Sequence, residues 1–301
     1  MDVAITGASG LIGTALARSL RGDGHAVRPV VRRASDDPRA VRWDPAAGTI
    51  EAAGLEGVDA VVHLAGAGIG DRRWSPARKR EILESRTRGT GLIARTLAGM
   101  ASPPAVLVSA SAIGYYGSAG DEVLSELSPP GDDFVAEVVR AWEAAAQPAV
   151  DAGIRTVFPR TAVVLAREGG ILPRLALPFR FFVGGRLGSG RQWMSWVTLR
   201  DAVAALRFLL QRADIEGPVN VAAPEPVTNG EMAAAIGRAL HRPAAVPVPA
   251  FGPRLVLGRE MADSLLFVSQ RVRPDVLMRA GFPFSHPDIE GALAATLGGG
   301  T

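Results

Sequence analysis

Residues Thr6-Gly7-Ala8-Ser9-Gly10-Leu11-Ile12-Gly13 stand between a strand-like run, Val3-Ala4-Ile5, and a stretch that puts Leu11, Ile12, Ala15, Leu16, Ser19 and Leu20 on one helical face. Glycines at this spacing, between a strand and a helix, let the chain turn tightly, let a diphosphate approach the backbone, and let the helix pack close to the sheet. The first amides of the helix and its dipole then face the anion. The motif predicts a dinucleotide site made of Gly7, Ser9, Gly10, Leu11, Ile12 and Gly13, and with it an α/β fold.

Short β-rich runs alternate with helical patterns through the first ~160 residues, as expected of a parallel sheet flanked by helices. Strand candidates cover 26–31, 60–64, 106–109 and 156–158, and Pro29 lowers the expected regularity of the first of these. Residues 76–97 read as a helix with Pro76 in its first turn, and further helical stretches lie near 200–212, 229–240 and 286–297. After about residue 165 the texture turns to Gly/Pro/Arg-rich loops such as GGILPRLALPFRFFVGGRLGSG, and the terminal Gly298-Gly299-Gly300-Thr301 reads as a frayed tail.

The chain of 301 residues is 48% hydrophobic and 21% charged, which fits packed domains rather than disorder. It has no cysteine, so disulfides, thiolate metal sites and thiol nucleophiles are excluded. Its single lysine, Lys79, lies far from its two tyrosines, Tyr115 and Tyr116, so nearly all positive charge is arginine. That composition gives a pI near 10.1 with a net charge of only +3. With acids and bases so nearly balanced, no nucleic-acid partner is expected. No apolar run reaches the ~18 residues of a membrane span, so no membrane partner is expected either. The first strand starts directly after Met1, which leaves no room for a targeting segment and predicts a cytoplasmic protein.

In such folds an acid after the second strand binds the ribose 2′-hydroxyl of NAD, whereas arginine suits the 2′-phosphate of NADP. Here the second strand ends Val30-Val31-Arg32-Arg33. Arg32 and Arg33, with a hydroxyl from Ser9, predict NADP(H).

The opening TGASGLIG, the segment DAVVHLAG (59–66), VLVSASAIGYYG (106–117), GSGRQWMSWVTLRDAV (188–203) and PVNVAAPEPVTNGEMAAAIG (218–237) resemble signatures of the extended short-chain dehydrogenase/reductases, the NAD(P)-dependent epimerase/dehydratase group. GDRRW (70–74), SRTRGT (85–90) and SQRVRPDVLMRAGFPF (269–284) are similar to an atypical subgroup labelled epimerase-like or cell-division-inhibitor-like, with a C-terminal domain of unknown function. The resemblance implies a Rossmann-type doubly wound parallel sheet, residues 1–163 with about 193–220, and a smaller C-terminal α+β substrate domain, about 164–192 with 221–301. It also implies cofactor contacts from Leu64, Ala65, Gly66, Ser109 and Pro159.

Against that family the departures are informative. Its catalysis resembles a relay of a Tyr, a Lys four residues later on the same helical face, and a Ser. The matching helix, 133–143, offers Phe134 and Val138 or Val135 and Val139, neither able to move a proton. The Ser/Thr position is Ala112, the dehydratase acid pair is Ile113 and Gly114, and two asparagine positions are Val163 and Arg86. A dehydratase or a standard nucleotide-sugar epimerase is therefore disfavoured.

Catalytic candidates reduce to Tyr116 and Ser111, at the carboxyl end of a predicted strand, with the Tyr pKa expected near ~10 for want of a lysine. Arg73, Trp74, Arg86, Tyr115, Gln192 and Trp193, with Trp196, suit an anionic or aromatic substrate. Most charges of 78–88 read as a solvated helix face. Asp201 resembles the family's domain-closing acid, His63 reads as a plain strand residue, and no histidine spacing marks a metal. The helix bearing Phe134 and Trp142 is a candidate homodimer face. Two readings follow: an NADP(H)-dependent oxidoreductase or epimerase-like enzyme acting on a carbonyl, imine or anionic small molecule, or a non-catalytic NADPH-binding regulatory module with a protein partner.

Overall fold

The computed structural model describes residues 1–298, so the tail past Gly298 lies outside the described residues. The chain opens with β1 (Asp2–Thr6), α1 (Leu11–Gly22), β2 (Ala26–Val31), β3 (Val41–Asp44), β4 (Thr49–Ile50) and β5 (Ala60–His63). Next come α2 (Pro76–Ala98), β6 (Val106–Ser109) and α3 (Phe134–Ala144). The main sheet runs Gly217–Val221, Arg155–Thr161, β6, β5, β1, β2, β3, β4, and every pair is parallel except β3 with β4. Strand order reverses between β1 and β5, which makes their carboxyl ends the switch point where ligands collect in doubly wound sheets.

Both faces of the sheet are covered, so the central strands are apolar on both sides rather than alternating with polar residues. Val3, Ile5, Val62 and Val108 pack with Leu16 and Leu20 of α1 and with Leu206 and Leu209 of the helix Leu199–Gln211. Ala4, Val61 and Leu107 point the other way, onto Leu92, Ile93 and Leu97 of α2. Pro29 sits opposite Ile5 in the β1–β2 register without interrupting it. The strand expected at 156–158 extends over Arg155–Thr161.

Two features go beyond the sequence reading. The β3–β4 hairpin was not anticipated. The stretch read as loop after residue 165 contains the helix Leu172–Arg180, which buries Leu172, Ala176 and Phe179 at helical spacing despite Pro178 near its end. That helix packs with Asn229–Leu240 and Ile289–Leu297 around the fully buried Trp196, forming the smaller C-terminal α+β part. Trp196 is thus core and does not reach a ligand site. The last helix begins at Ile289 rather than 286, because the Asp288 side chain accepts from Gly291 N–H and caps it.

Candidate cofactor site

The glycine loop after β1 is shaped by contacts that exclude side chains. Gly7 has φ +67°, and a Cβ there would lie 3.0 Å from Ala65 N. A Cβ at Gly13 would lie 2.2 Å from Gly7 O, so α1 seats directly on the loop that precedes it. Gly10 is the N-cap and no side chain satisfies the first amides of α1, which has no acid in its first turn. Those amides are free to meet an anion. The loop after β5 is fastened to the same place by Thr6, whose Oγ1 accepts from Leu64 N–H at 3.0 Å and Ala65 N–H at 3.2 Å and bonds His63 Nδ1 at 2.8 Å. His63 is fully buried, which pulls its pKa down to about 4 and keeps it neutral.

Along this junction runs a cleft of about 840 Å³. Of the expected cofactor residues, Gly7, Ser9, Gly10, Arg32, Arg33, Leu64, Ala65 and Gly66 line it. Leu11, Ile12 and Gly13 form the first turn of α1 beside it, while Ser109 and Pro159 are buried within their strands. Sequence reasoning missed the floor, Trp43 to Ala46 on the β3–β4 hairpin, and the α2 wall of Glu81, Glu84, Ser85 and Arg88. The signal for the floor was present in the turn-forming Asp44-Pro45 and Gly48 between two short β-like runs.

The charges of the cleft are unequally satisfied. Glu81 pairs with Arg78 at 2.7 Å and Glu84 with Arg88 at 3.1 Å. Asp44 Oδ1 accepts from Ala46 and Ala47 N–H. Arg32 and Arg33 are exposed and make no ion pair with any described residue. Two unpaired guanidinium groups at the end of β2 suit a phosphate.

Beyond the loop 64–74, several α2 side chains hold backbone. Ser85 Oγ accepts from Ala67 N–H, Arg78 Nη2 donates to Gly68 O and Arg86 Nη1 to Ala67 O. Trp74 Nε1 donates to Ile69 O, and its ring meets Phe134 edge-on at 5.0 Å. Arg78, expected on a solvated face, is buried. Arg86 lies 4.9 Å over the Trp142 ring and against Gly66. Burial, and then the charge of Arg78, bring its guanidinium down to about 10, and it makes no ion pair with any described residue. Arg73 leans on Gly258. Phe134, half-buried, meets Trp74 and Lys79, and Trp142 is buried under Arg86.

Tyr116 and Ser111 are placed differently from expectation. Tyr116 is 3% exposed; its hydroxyl donates to Asn220 Oδ1 at 2.7 Å and accepts from Arg160 Nη1 at 3.2 Å. Burial raises its pKa, against the value near ~10 expected from a missing lysine. Arg160 is bidentate to Glu143 at 2.8 and 2.9 Å, and Ser111 Oγ donates to the same carboxylate at 2.5 Å. Burial opposes the charge of Arg160, yet the hydrogen bonds and charge of Glu143 more than offset it and its pKa rises. Tyr115 lies face-on to Arg160, its ring centroid 3.4 Å from the guanidinium carbon. Of the two candidate relay pairs on α3, Phe134 with Val138 and Val135 with Val139, the three valines are buried and Phe134 meets Trp74, and a Cβ at Gly114 would lie 2.5 Å from Val135 Cγ1. The remaining candidates serve the C-terminal part: Gln192 Nε2 donates to Leu187 O and Leu266 O, Trp193 Nε1 to Asp121. Asp201 accepts from Ser285 and His286 N–H, tying the chain end to the sheet side.

A family model for the NAD dependent epimerase/dehydratase family matches residues 3–222, and one for a domain of unknown function, DUF1731, matches residues 248–296. An epimerase family protein of Mycobacterium tuberculosis is 44% identical over 291 residues, covering 97% of this chain and 96% of its own. Among solved structures, human epimerase family protein SDR39U1, crystallised with NADPH, is 36% identical, with a TM-score of 0.91 over 99% of this chain and 100% of that one. A Corynebacterium glutamicum protein described as a nucleoside-diphosphate sugar epimerase is 37% identical, with a TM-score of 0.82 over 99% of this chain and 58% of that one. With its fold, its glycine cradle and these matches, the chain belongs to the NAD dependent epimerase/dehydratase family.

Proposed function

We propose that the chain binds NADPH in the cleft and serves an NADPH-dependent reduction of an anionic or aromatic small molecule. The observation that carries the cofactor is the unpaired Arg32 and Arg33 beside a cleft whose acids are already engaged; the human relative crystallised with NADPH supports it. When bound, the cofactor supplies hydride. The chain supplies position: the α1 amides for the diphosphate, Arg32 and Arg33 for the 2′-phosphate, and Leu64, Ala65 and Gly66 as the opposite wall. Arg86, a charged group without a carboxylate and pressed against Gly66, attracts an anionic substrate. Because the Tyr116 and Ser111 hydroxyls are engaged in the Arg160–Glu143 network, the proton that balances the reduction comes from solvent. Residues 1–163 with 193–220 hold the cofactor and the remainder closes over it, in a cytoplasmic protein.

A second reading, a non-catalytic NADPH-binding regulatory module, is favoured by one observation: the α3 side chains at the candidate relay positions, Phe134 with Val138 or Val135 with Val139, carry no proton to transfer. One experiment separates the two. Purified protein is titrated with NADPH and NADH, then followed by loss of nicotinamide absorbance with a panel of carbonyl, imine and quinone compounds. Equal affinity for the two cofactors overturns the NADPH assignment. Tight NADPH binding with no turnover across the panel selects the module.

A further inference from the structure

Two stretches of this chain contain arginine and no carboxylate: five arginines separate Glu168 from Asp201, and Arg238, Arg242, Arg254 and Arg259 separate Glu231 from Glu260. The fold lays the two side by side. Val246 N–H donates to Gly184 O at 3.1 Å, Val248 N–H to Arg186 O at 2.8 Å, and Gly188 N–H to Val248 O at 2.9 Å. The segments joined in this way also carry most of the large apolar side chains that stand exposed among the described residues.

On the first, Phe181, Phe182 and Val183 follow the helix Leu172–Arg180, with Phe181 69% exposed. Phe182, 58% exposed, has φ +61°, a conformation that costs a bulky residue energy, and Arg242 lies over its ring at 4.6 Å. On the second, the helix Phe251–Leu257 buries none of its residues; Phe251 and Leu255, one turn apart, are 73% and 76% exposed. Among the arginines, Arg254 and Arg259 share Asp263. Arg180, Arg186 and Arg242 are exposed and make no ion pair with any described residue.

An apolar surface rimmed by unpaired arginine must meet something both apolar and negative. A second copy fits poorly, because a two-fold contact sets this arginine-rich edge against itself. An anionic bilayer surface offers both properties at once. We propose that this edge adsorbs to the surface of an anionic lipid bilayer, with Phe181, Phe182, Phe251 and Leu255 at the headgroup–acyl boundary and Arg180, Arg186 and Arg242 among the phosphates. No helix among the described residues is long and apolar enough to cross a membrane, which bears on spanning and leaves surface binding open. The proposal departs from the sequence expectation of no membrane partner.

The test is co-sedimentation of the full chain with vesicles of phosphatidylcholine alone and with vesicles in which about a third of the lipid is phosphatidylglycerol. The chain pellets with the anionic vesicles, and raised salt weakens this several-fold. The double variant Phe251→Ser, Leu255→Ser lowers adsorption at least about tenfold. Arg180→Gln and Arg242→Gln each lower it about fivefold. All variants keep wild-type thermal unfolding and NADPH affinity, which shows that the surface rather than the fold has changed. Equal binding to both vesicle types, or absence of binding to the anionic ones, overturns the proposal. So does a wild-type dimer dispersed by Phe251→Ser, which would make a second copy the occupant; vesicle failure beside tight binding of an acidic protein would do the same.

Discussion

The Tyr116 hydroxyl donates to Asn220 Oδ1 across 2.7 Å, joining the turn after β6 to the edge strand Gly217–Val221. Arg160 donates to the same phenol oxygen and grips Glu143 of α3, which also takes the Ser111 proton donor. The most enzyme-like residues of the sequence are therefore a buried tie between sheet, α3 and the C-terminal part. Tyr116→Phe leaves a buried amide oxygen and a guanidinium N–H short of a partner, at a cost of about 1–3 kcal/mol. Thermal unfolding should fall by a few degrees while NADPH affinity stays within about twofold. Loss of turnover at unchanged unfolding temperature would instead make the phenol a catalytic acid.

Arg32→Ala and Arg33→Ala should each weaken NADPH about tenfold or more, since a charge-assisted bond to phosphate contributes about 1.5–3 kcal/mol. NADH, which lacks the 2′-phosphate, should change by less than about twofold. Calorimetric titration at two salt concentrations checks this, with the wild-type preference for NADPH shrinking as salt rises. Equal losses for both cofactors would place the arginines elsewhere than at the 2′-phosphate.

The glycine turn, the position of Arg32 and Arg33 at the end of β2 and the parallel strands were legible because each rests on local rules: glycine at forced φ, charge at a strand end, runs of Val and Ile buried on both faces. Residues whose role depends on distant partners were not. Tyr116 reads as an active-site phenol until Asn220, 104 residues away, and Arg160 are seen to engage it. Arg78 reads as solvated until the loop at Gly68 folds onto it. Trp43 and Asp44 floor the cleft through a hairpin too short for periodicity to register. Helix Leu172–Arg180 was hidden by its prolines: Pro173 sits in the first turn, where proline is tolerated, and Pro178 lies inside the helix near its end, where it forgoes a backbone hydrogen bond.

Acid should weaken the fold through His63. Its folded-state pKa, about 4 against an ordinary 6.5, is depressed by burial, so the neutral ring contributes stability that is fully present above 6.5 and is lost as pH falls toward 4. Between about pH 7.5 and about pH 5.5 this one group accounts for about 1.3 kcal/mol of lost stability. Denaturant unfolding of wild type and His63→Gln at the two pH values isolates it: the variant should be less stable at neutral pH but less sensitive to acid. Equal acid sensitivity in both would assign the loss to other groups.

Gly13 and Gly22, both on α1, should respond oppositely to the same methyl group. A Cβ at Gly13 would overlap Gly7 O at 2.2 Å and crowd Ala8 at 2.9 Å, backbone atoms that cannot rotate away. Relief requires α1 to lift from the loop, which moves the very amides that face the diphosphate. A Cβ at Gly22 meets nothing within 4 Å, and its φ is not in the left-handed region. Gly22→Ala should therefore hold or raise stability by up to about 1 kcal/mol through a less flexible unfolded chain. Gly13→Ala should lower stability by about 1–3 kcal/mol and weaken NADPH binding about tenfold or more. Paired unfolding and titration measurements on the two variants decide it. A Gly13→Ala protein with wild-type affinity would mean that the close seating of α1 does not set the cofactor cradle.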